Sequence, residues 1–265
     1  MTDLILALDQ GTTSSRSILF TEKAEIRAVA SEPLECRYPD SGWVEQDAEA
    51  IWETQRSTIV KVLDQAGIGL SEVSAIGITN QRESTIAWNR EPGEALCPAI
   101  NWQCRRTAGF CDELKEEGFD ELIRNRTGLV TDPYFSGTKM HWILQNVPEA
   151  ANLARQGKLC FGTVDSWLIW KLSGGTTHAI EISNASRTLV FDIQKCEWDS
   201  EILSRFGIPP ESLPEVVPSS GVIAEVDESL FGGSAPIAGA AGDQQAALFG
   251  QACFTPGMAK NTYGT

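Results

Sequence analysis

The chain has 265 residues, with 21 Lys and Arg against 36 Asp and Glu, a formal charge of −15. Its composition, 42% hydrophobic and 22% charged, is that of a globular chain with enough apolar residues for a core, which excludes disordered and fibrous classes and suits one large or two small domains. So acidic a balance argues against a nucleic-acid partner, whose phosphates are bound mainly by clustered Lys and Arg.

Residues 4–8 come after Met1-Thr2-Asp3 with no basic stretch, and five apolar residues are too few for a secretory signal or a membrane span; a cytoplasmic location is expected. That run, bounded by Asp9-Gln10-Gly11, suits a strand buried on both faces. Residues 17–20 and 26–30 predict two more strands, and the three together an antiparallel meander. Asp47 can cap a helix in which Ile51, Trp52, Ile59, Leu63 and Ala66 share a face and which Gly67 ends. Residues 73–79 come after that helix and predict a strand parallel to the first. Short strands are predicted over 85–88 and 100–102, around Pro92-Gly93.

Residues 107–126 predict one helix ending before Gly128. Residues 140–146 and 164–172 carry Trp142, Trp167 and Trp170 in apolar settings, where aromatic area reads as packing material and not as a ligand cage. Pro214 and Pro218 make 213–220 irregular. Residues 237–242 predict a strand of small residues feeding a helix through a tight turn. Residues 258–265 predict a strand entering a Gly/Thr turn at which the sequence stops, so a fragment is expected. Without partner strands, 254–265 are expected to be disordered or to pair with a neighbouring molecule. The seven cysteines form no C-x-x-C pair. Cys97, Cys104 and Cys111 recur at intervals of seven, but with His141 and His178 the only histidines they read as small apolar residues in a reducing compartment.

Three segments can carry chemistry. Asp9-Gln10-Gly11-Thr12-Thr13-Ser14-Ser15-Arg16 joins two strands by a turn rich in donors, which suits phosphate; Asp9 can hold Mg²⁺ through water and Arg16 can neutralise a phosphoryl group. A capped hairpin is the plainer reading. Thr79-Asn80-Gln81-Arg82-Glu83 lies past the end of a strand, where open sheets carry ligands, and an Arg–Glu pair there can hold a polyhydroxylated substrate; the residues alone favour a surface ion pair. Gly239-Ala240-Ala241-Gly242-Asp243-Gln244 delivers Asp243 to the start of a helix, as a general base or as a simple cap. Neither G-x-x-x-x-G-K-[ST] nor G-x-G-x-x-G occurs, which removes most of the weight from P-loop and dinucleotide-binding readings.

These segments, with Trp102-Gln103-Cys104-Arg105-Arg106-Thr107, Asp132-Pro133-Tyr134-Phe135-Ser136-Gly137-Thr138-Lys139, Gly162-Thr163-Val164-Asp165-Ser166-Trp167-Leu168, Asn184-Ala185-Ser186-Arg187-Thr188 and Ala259-Lys260-Asn261-Thr262-Tyr263-Gly264-Thr265, occur in order along the whole chain. Together they resemble the glycerol kinase family of FGGY carbohydrate kinases, which shares the actin/Hsp70-like ATPase fold. The resemblance implies an α/β, ribonuclease H-like domain with a five-stranded mixed sheet flanked by helices and an inserted substrate-site region. Residues 1–253 would be the N-terminal domain and 254–265 the start of a second one that supplies the adenine pocket.

The implied activity is ATP-dependent phosphorylation of glycerol to sn-glycerol 3-phosphate with Mg²⁺, which needs mainly positioning and charge neutralisation. Thr12, Thr13, Ser14, Arg16 and Thr265 would contact nucleotide. Arg82, Glu83, Tyr134, Asp243 and Gln244 would hold glycerol against Trp102. Asp243 would be the base, Arg16 and Asp9 would assist catalysis, and Asp9 and Asp243 would hold Mg²⁺ through water. The complete protein is expected to be a homo-oligomer. Gly232-Gly233-Ser234-Ala235-Pro236 lacks the Arg with which some members bind fructose 1,6-bisphosphate, and no histidine lies between Ser186 and Asp243, so neither that inhibition nor activation by histidine phosphorylation is expected. A kinase for another polyol or a ketose, and a non-catalytic polyol-binding actin-like module, are the alternatives.

Overall fold

A computed structural model of the chain describes residues 3–91 and 93–263. β1 (Leu4–Gln10), β2 (Ser14–Thr21) and β3 (Ile26–Pro33) form the expected meander, and α1 (Ala48–Ala66) crosses over to β4 (Ala75–Asn80). Then come α2 (Ala108–Glu116), α3 (Asp120–Thr127), α4 (Ser136–Asn146), α5 (Val164–Leu172) and α6 (Ile182–Ala185). β5 (Ser220–Glu225), β6 (Pro236–Gly242) and α7 (Asp243–Gly250) close the order.

The six strands lie in the order β5-β6-β4-β1-β2-β3, with β6, β4 and β1 parallel and the rest antiparallel to their neighbours. The sheet has one strand more than the five expected because Ser220 opens β5. The stretch read as irregular also holds a short strand, Glu215–Val217, paired in parallel with Ala179–Glu181. Pro214 and Pro218 flank that strand and so take no place in its ladder.

Leu4, Leu6 and Leu8 alternate onto one sheet face, and with Leu19, Ile76, Ile78 and Ile237 they pack under α1 and α5. Asp47 caps α1 by accepting from the backbone N–H groups of Glu49 and Ala50 at 3.0 and 3.2 Å. Trp167 and Trp170 are buried beside Trp88, as the sequence predicts, while Trp142 is half-buried and meets Trp43 edge-on.

Between β4 and β5 the chain builds a second core, including Ile100, Met140, Ile143, Phe161 and Phe206. This is the expected insertion. Its one predicted helix over 107–126 is two, α2 and α3, because Gly118 takes φ 74 and breaks the run between them. Residues 258–263 form no strand; Lys260 Nζ and Thr262 Oγ1 instead donate to Gln244 Oε1, at 2.7 and 3.1 Å. All seven cysteines are free. Among the described residues no helix is long and apolar enough to cross a membrane, and no cluster of three or more His, Cys, Asp or Glu could hold a metal ion.

Candidate active site

The register of the three parallel strands sets the site. Gln10 lies opposite Asn80, and Asn80 opposite Gly242, so β1, β4 and β6 end at one level. The segments that leave these strands converge past their carboxyl ends, where open α/β sheets carry ligands. Gly11, Thr12 and Thr13 come from β1; Gln81, Arg82 and Glu83 from β4; Asp243 and Gln244 from β6. With Trp102, Tyr134 and Thr262 they line a cleft of about 300 Å³. A larger depression, about 490 Å³ between Gly118, Glu121, Arg126 and Gln194, contains none of these residues.

The turn between β1 and β2 is tight. Gly11 N–H donates to the Ser14 carbonyl at 2.9 Å, and the Thr13 carbonyl accepts from Leu34 N–H. Asp9 and Arg16 are paired across the β1–β2 ladder, with Arg16 Nη1 4.0 Å from Asp9 Oδ2. The Asp9 carboxyl is held above its ordinary range because partial burial outweighs the attraction of Arg16, and the charge of Asp243 adds to the rise. Thr12 has a role that sequence reasoning missed: its Oγ1 accepts from Trp102 Nε1 at 2.9 Å. Trp102 is therefore tied to the β1–β2 turn. Gln81 strengthens the tie, donating to the Gly11 carbonyl and to Gln46 Oε1 while its own Oε1 accepts from Asn101 and Ser84.

Arg82 and Glu83 do not pair with each other. Arg82 Nε lies 3.0 Å from Asp243 Oδ1, a charge contact whose N–H is not aimed at the oxygen. Gly242 makes the approach possible: a Cβ there would sit 2.5 Å from Arg82 Cδ. Glu83 is 1% exposed and receives Arg187 Nε at 2.7 Å, so the surface ion pair is excluded. The two side chains part because Glu83 adopts φ 62, a left-handed conformation that costs a non-glycine residue about 1–2 kcal/mol. Burial raises the Glu83 carboxyl above its ordinary value against the pull of Arg82, Arg187 and Lys139. Tyr134, edge-on to Trp102, is raised by burial and then by the Glu83 charge.

Asp243 takes the first position of α7, and its Oδ1 also accepts from Gln244 N–H at 2.7 Å. The other oxygen, Oδ2, has no partner among the described residues. α6 braces this corner: Ser183 Oγ accepts from Gly242 N–H at 3.0 Å, and Asn184 exchanges amide hydrogen bonds with Asn80.

Of the sequence-predicted residues, Thr12, Thr13, Arg82, Glu83, Trp102, Tyr134, Asp243 and Gln244 line the cleft. Asp9, Ser14 and Arg16 do not line it but lie on the two strands that flank its Gly11–Thr13 turn, and Thr265 lies outside the described residues. Asp9 and Asp243 leave 42% and 41% of their side chains exposed, a pair of hard oxygen donors reachable by a hydrated cation and suited to Mg²⁺, which keeps its waters and takes few carboxylates. Gln81, which lines the cleft, and Arg187 and Lys139, which bond to Glu83, are neighbours of the site that the residues alone did not single out. The available signal was their position inside the polar motifs.

The profile of the FGGY family of carbohydrate kinases, N-terminal domain, matches residues 4–250. A glycerol kinase of Carboxydothermus hydrogenoformans is 56% identical over 262 residues, 98% of this chain and 52% of that protein. Glycerol kinase 2 of Thermotoga maritima is 56% identical over 261 residues, 98% of this chain and 53% of that protein. The chain spans about half the length of the curated relatives it matches. Among solved structures, Plasmodium falciparum glycerol kinase with ADP superposes with a TM-score of 0.92 at 32% identity, over 99% of this chain and 53% of that one. A xylulose kinase of Rhodospirillum rubrum gives 0.85 at 24% identity, over 96% of this chain and 52% of that one, a likeness of fold alone.

Proposed function

The chain belongs to the FGGY family of carbohydrate kinases, and from that premise we propose that its cleft serves the transfer of the γ-phosphoryl group of ATP to a terminal hydroxyl of glycerol. The observation that carries this reading is the convergence of Arg82, Glu83, Tyr134, Asp243 and Gln244 beside Trp102, directly past the phosphate turn. A small polyol needs several directed hydrogen bonds and one apolar wall, and this set supplies both.

Arg82, Glu83, Tyr134 and Gln244 orient the hydroxyls. With Oδ1 of Asp243 engaged by Arg82 and Gln244, Oδ2 is the oxygen that takes the proton of the attacking hydroxyl. The hydroxyl oxygen forms the new bond to phosphorus as the bond to the ADP oxygen breaks. Thr12, Thr13, Ser14 and Arg16 face the phosphates, and Thr265 belongs to the same nucleotide contact. Asp9 and Asp243 would hold Mg²⁺ through water; when bound, it supplies neutralising charge at the phosphate oxygens.

On this reading residues 1–253 are the N-terminal kinase domain and 254–265 begin a second domain. The complete protein is a cytoplasmic homo-oligomer, and its acidic balance supports a small-molecule and not a nucleic-acid partner. The test is ADP release from Mg-ATP with glycerol, other polyols and ketoses offered in parallel. Glycerol-dependent release is expected. Release with ketoses alone would replace the substrate, and glycerol binding without any release, in the protein of full family length, would leave a binding module.

A further inference from the structure

Lys139 is the one wholly buried lysine among the described residues that the proposed chemistry does not use. It sits in the first turn of α4, where the helix dipole disfavours a cation, and no carboxylate is bonded to it. Its Nζ instead donates to three main-chain carbonyls: Tyr134 at 2.5 Å, Glu83 at 3.2 Å and Phe135 at 3.3 Å. The Glu83 carbonyl also accepts from Ser136 Oγ at 3.1 Å. These carbonyls belong to two segments far apart in the sequence, the turn after β4 and the turn before α4. Each presents a side chain to the cleft.

A buried cation in so unfavourable a place needs a compensating role, because an apolar residue of the same length would fill the volume at less cost. The left-handed backbone at Glu83 supplies one, since a strained conformation persists only where its surroundings hold it. We propose that Lys139 is a positioning residue of the polyol pocket, gathering the carbonyls of Glu83, Tyr134 and Phe135 so that the Glu83 and Tyr134 side chains face the cleft in a fixed relation. This rests on the reading of the cleft as a polyol site.

Burial brings the ammonium down to about 7, against the opposing charges of Glu83 after β4 and Asp132 before α4; Cys104 before α2 and Cys111 within it also face the amine, and Arg187 is the further charge on Glu83. Below that pH the ammonium donates all three bonds. Above it a proton is lost, and polyol affinity falls.

The test is calorimetric titration of the chain with glycerol, from about a unit below pH 7 to a unit above, for the wild type, Lys139→Met and Ser136→Ala. Wild-type affinity is expected to weaken as pH rises. K139M is expected to bind about tenfold more weakly, the order of effect for buried acceptors left without a donor, and with a flat profile; S136A is expected to show a smaller loss that keeps the profile. Amide hydrogen exchange on the same proteins reads the positioning without glycerol: K139M should speed exchange across residues 82–86 and 134–137 and leave α1 unchanged. Unchanged exchange overturns the inference, as does wild-type affinity in K139M. If K139M does not fold, a flat wild-type profile overturns it. Exchange that responds to K139M in a chain that binds no glycerol upholds the positioning role and overturns only the polyol reading.

Discussion

Gly242→Ala isolates the placement of Arg82 from the stability of the fold. The backbone there has φ −58 and ψ 147, a conformation open to any residue, so alanine adds no backbone strain. Its Cβ would instead sit 2.5 Å from Arg82 Cδ, 2.8 Å from Cγ and 2.8 Å from Gln245 Oε1. Normal contact begins near 3.4 Å, so the guanidinium stem must retreat by about 0.9 Å, enough to break the 3.0 Å contact with Asp243. A displacement of about 1 Å in a positioned group costs up to about a hundredfold. Titration with glycerol should therefore show affinity lowered by about ten- to a hundredfold. The Tm should fall by no more than about 4 °C, the shift for about 1 kcal/mol in a domain of this size. Wild-type affinity in the variant would overturn this placement, since it would mean that Arg82 either does not sit against Gly242 or does not face the substrate. A collapse of Tm would rule out a disturbance confined to the site.

Asp243→Asn should lower glycerol-dependent turnover by about 10²- to 10⁴-fold in the protein of full family length, while its glycerol affinity changes far less; ADP release beside calorimetry checks both. Trp102→Phe keeps the wall but loses the 2.9 Å hydrogen bond to Thr12, so glycerol affinity should drop by about fivefold, the equivalent of about 1 kcal/mol, with little change in Tm. Two buried groups make stability depend on pH with opposite signs. His178, brought down to about 4 by burial beside Trp88 and Trp170, contributes stability above its unfolded value of 6.5 that is lost as pH falls toward 4. Asp165, raised to about 7 by burial, contributes stability below 3.8 that is lost as pH rises toward 7. The two oppose across the same window, so urea midpoints between those values should be nearly flat in the wild type. Asp165→Asn should show stability falling toward acid and His178→Phe stability rising toward acid; profiles unchanged by both substitutions would contradict the buried titrations.

Much of the frame was legible because local chemistry decided it. The uninterrupted apolar run of β1, the Asp47 cap and the glycine-rich turn into α7 each specify an element without help from the rest of the chain. The parallel crossover from β1 to β4 was legible too, and it puts the segments after Gln10 and Asn80 at one end of the sheet; that β6 ends at the same level was not, because nothing local in 237–242 shows which strand it pairs with. Hydrogen bonds and charge pairs between distant segments were not. Adjacent Arg82 and Glu83 invite pairing with each other, but the left-handed backbone at Glu83 turns them to Asp243 and Arg187. A threonine in a phosphate turn reads as a ligand donor, and only the fold brings Trp102 to its oxygen. The sixth strand was hidden because Ser220-Gly221 after Pro218 resembles a loop until β6 offers it an edge.

The polyol reading of the cleft is tested most directly by the structure of the chain crystallised with glycerol. One glycerol molecule is expected in the 300 Å³ cleft, its hydroxyls on Arg82, Glu83, Tyr134, Asp243 and Gln244 and its carbons against Trp102. Glycerol bound elsewhere, or a cleft that stays empty at concentrations that saturate titration, would contradict that reading.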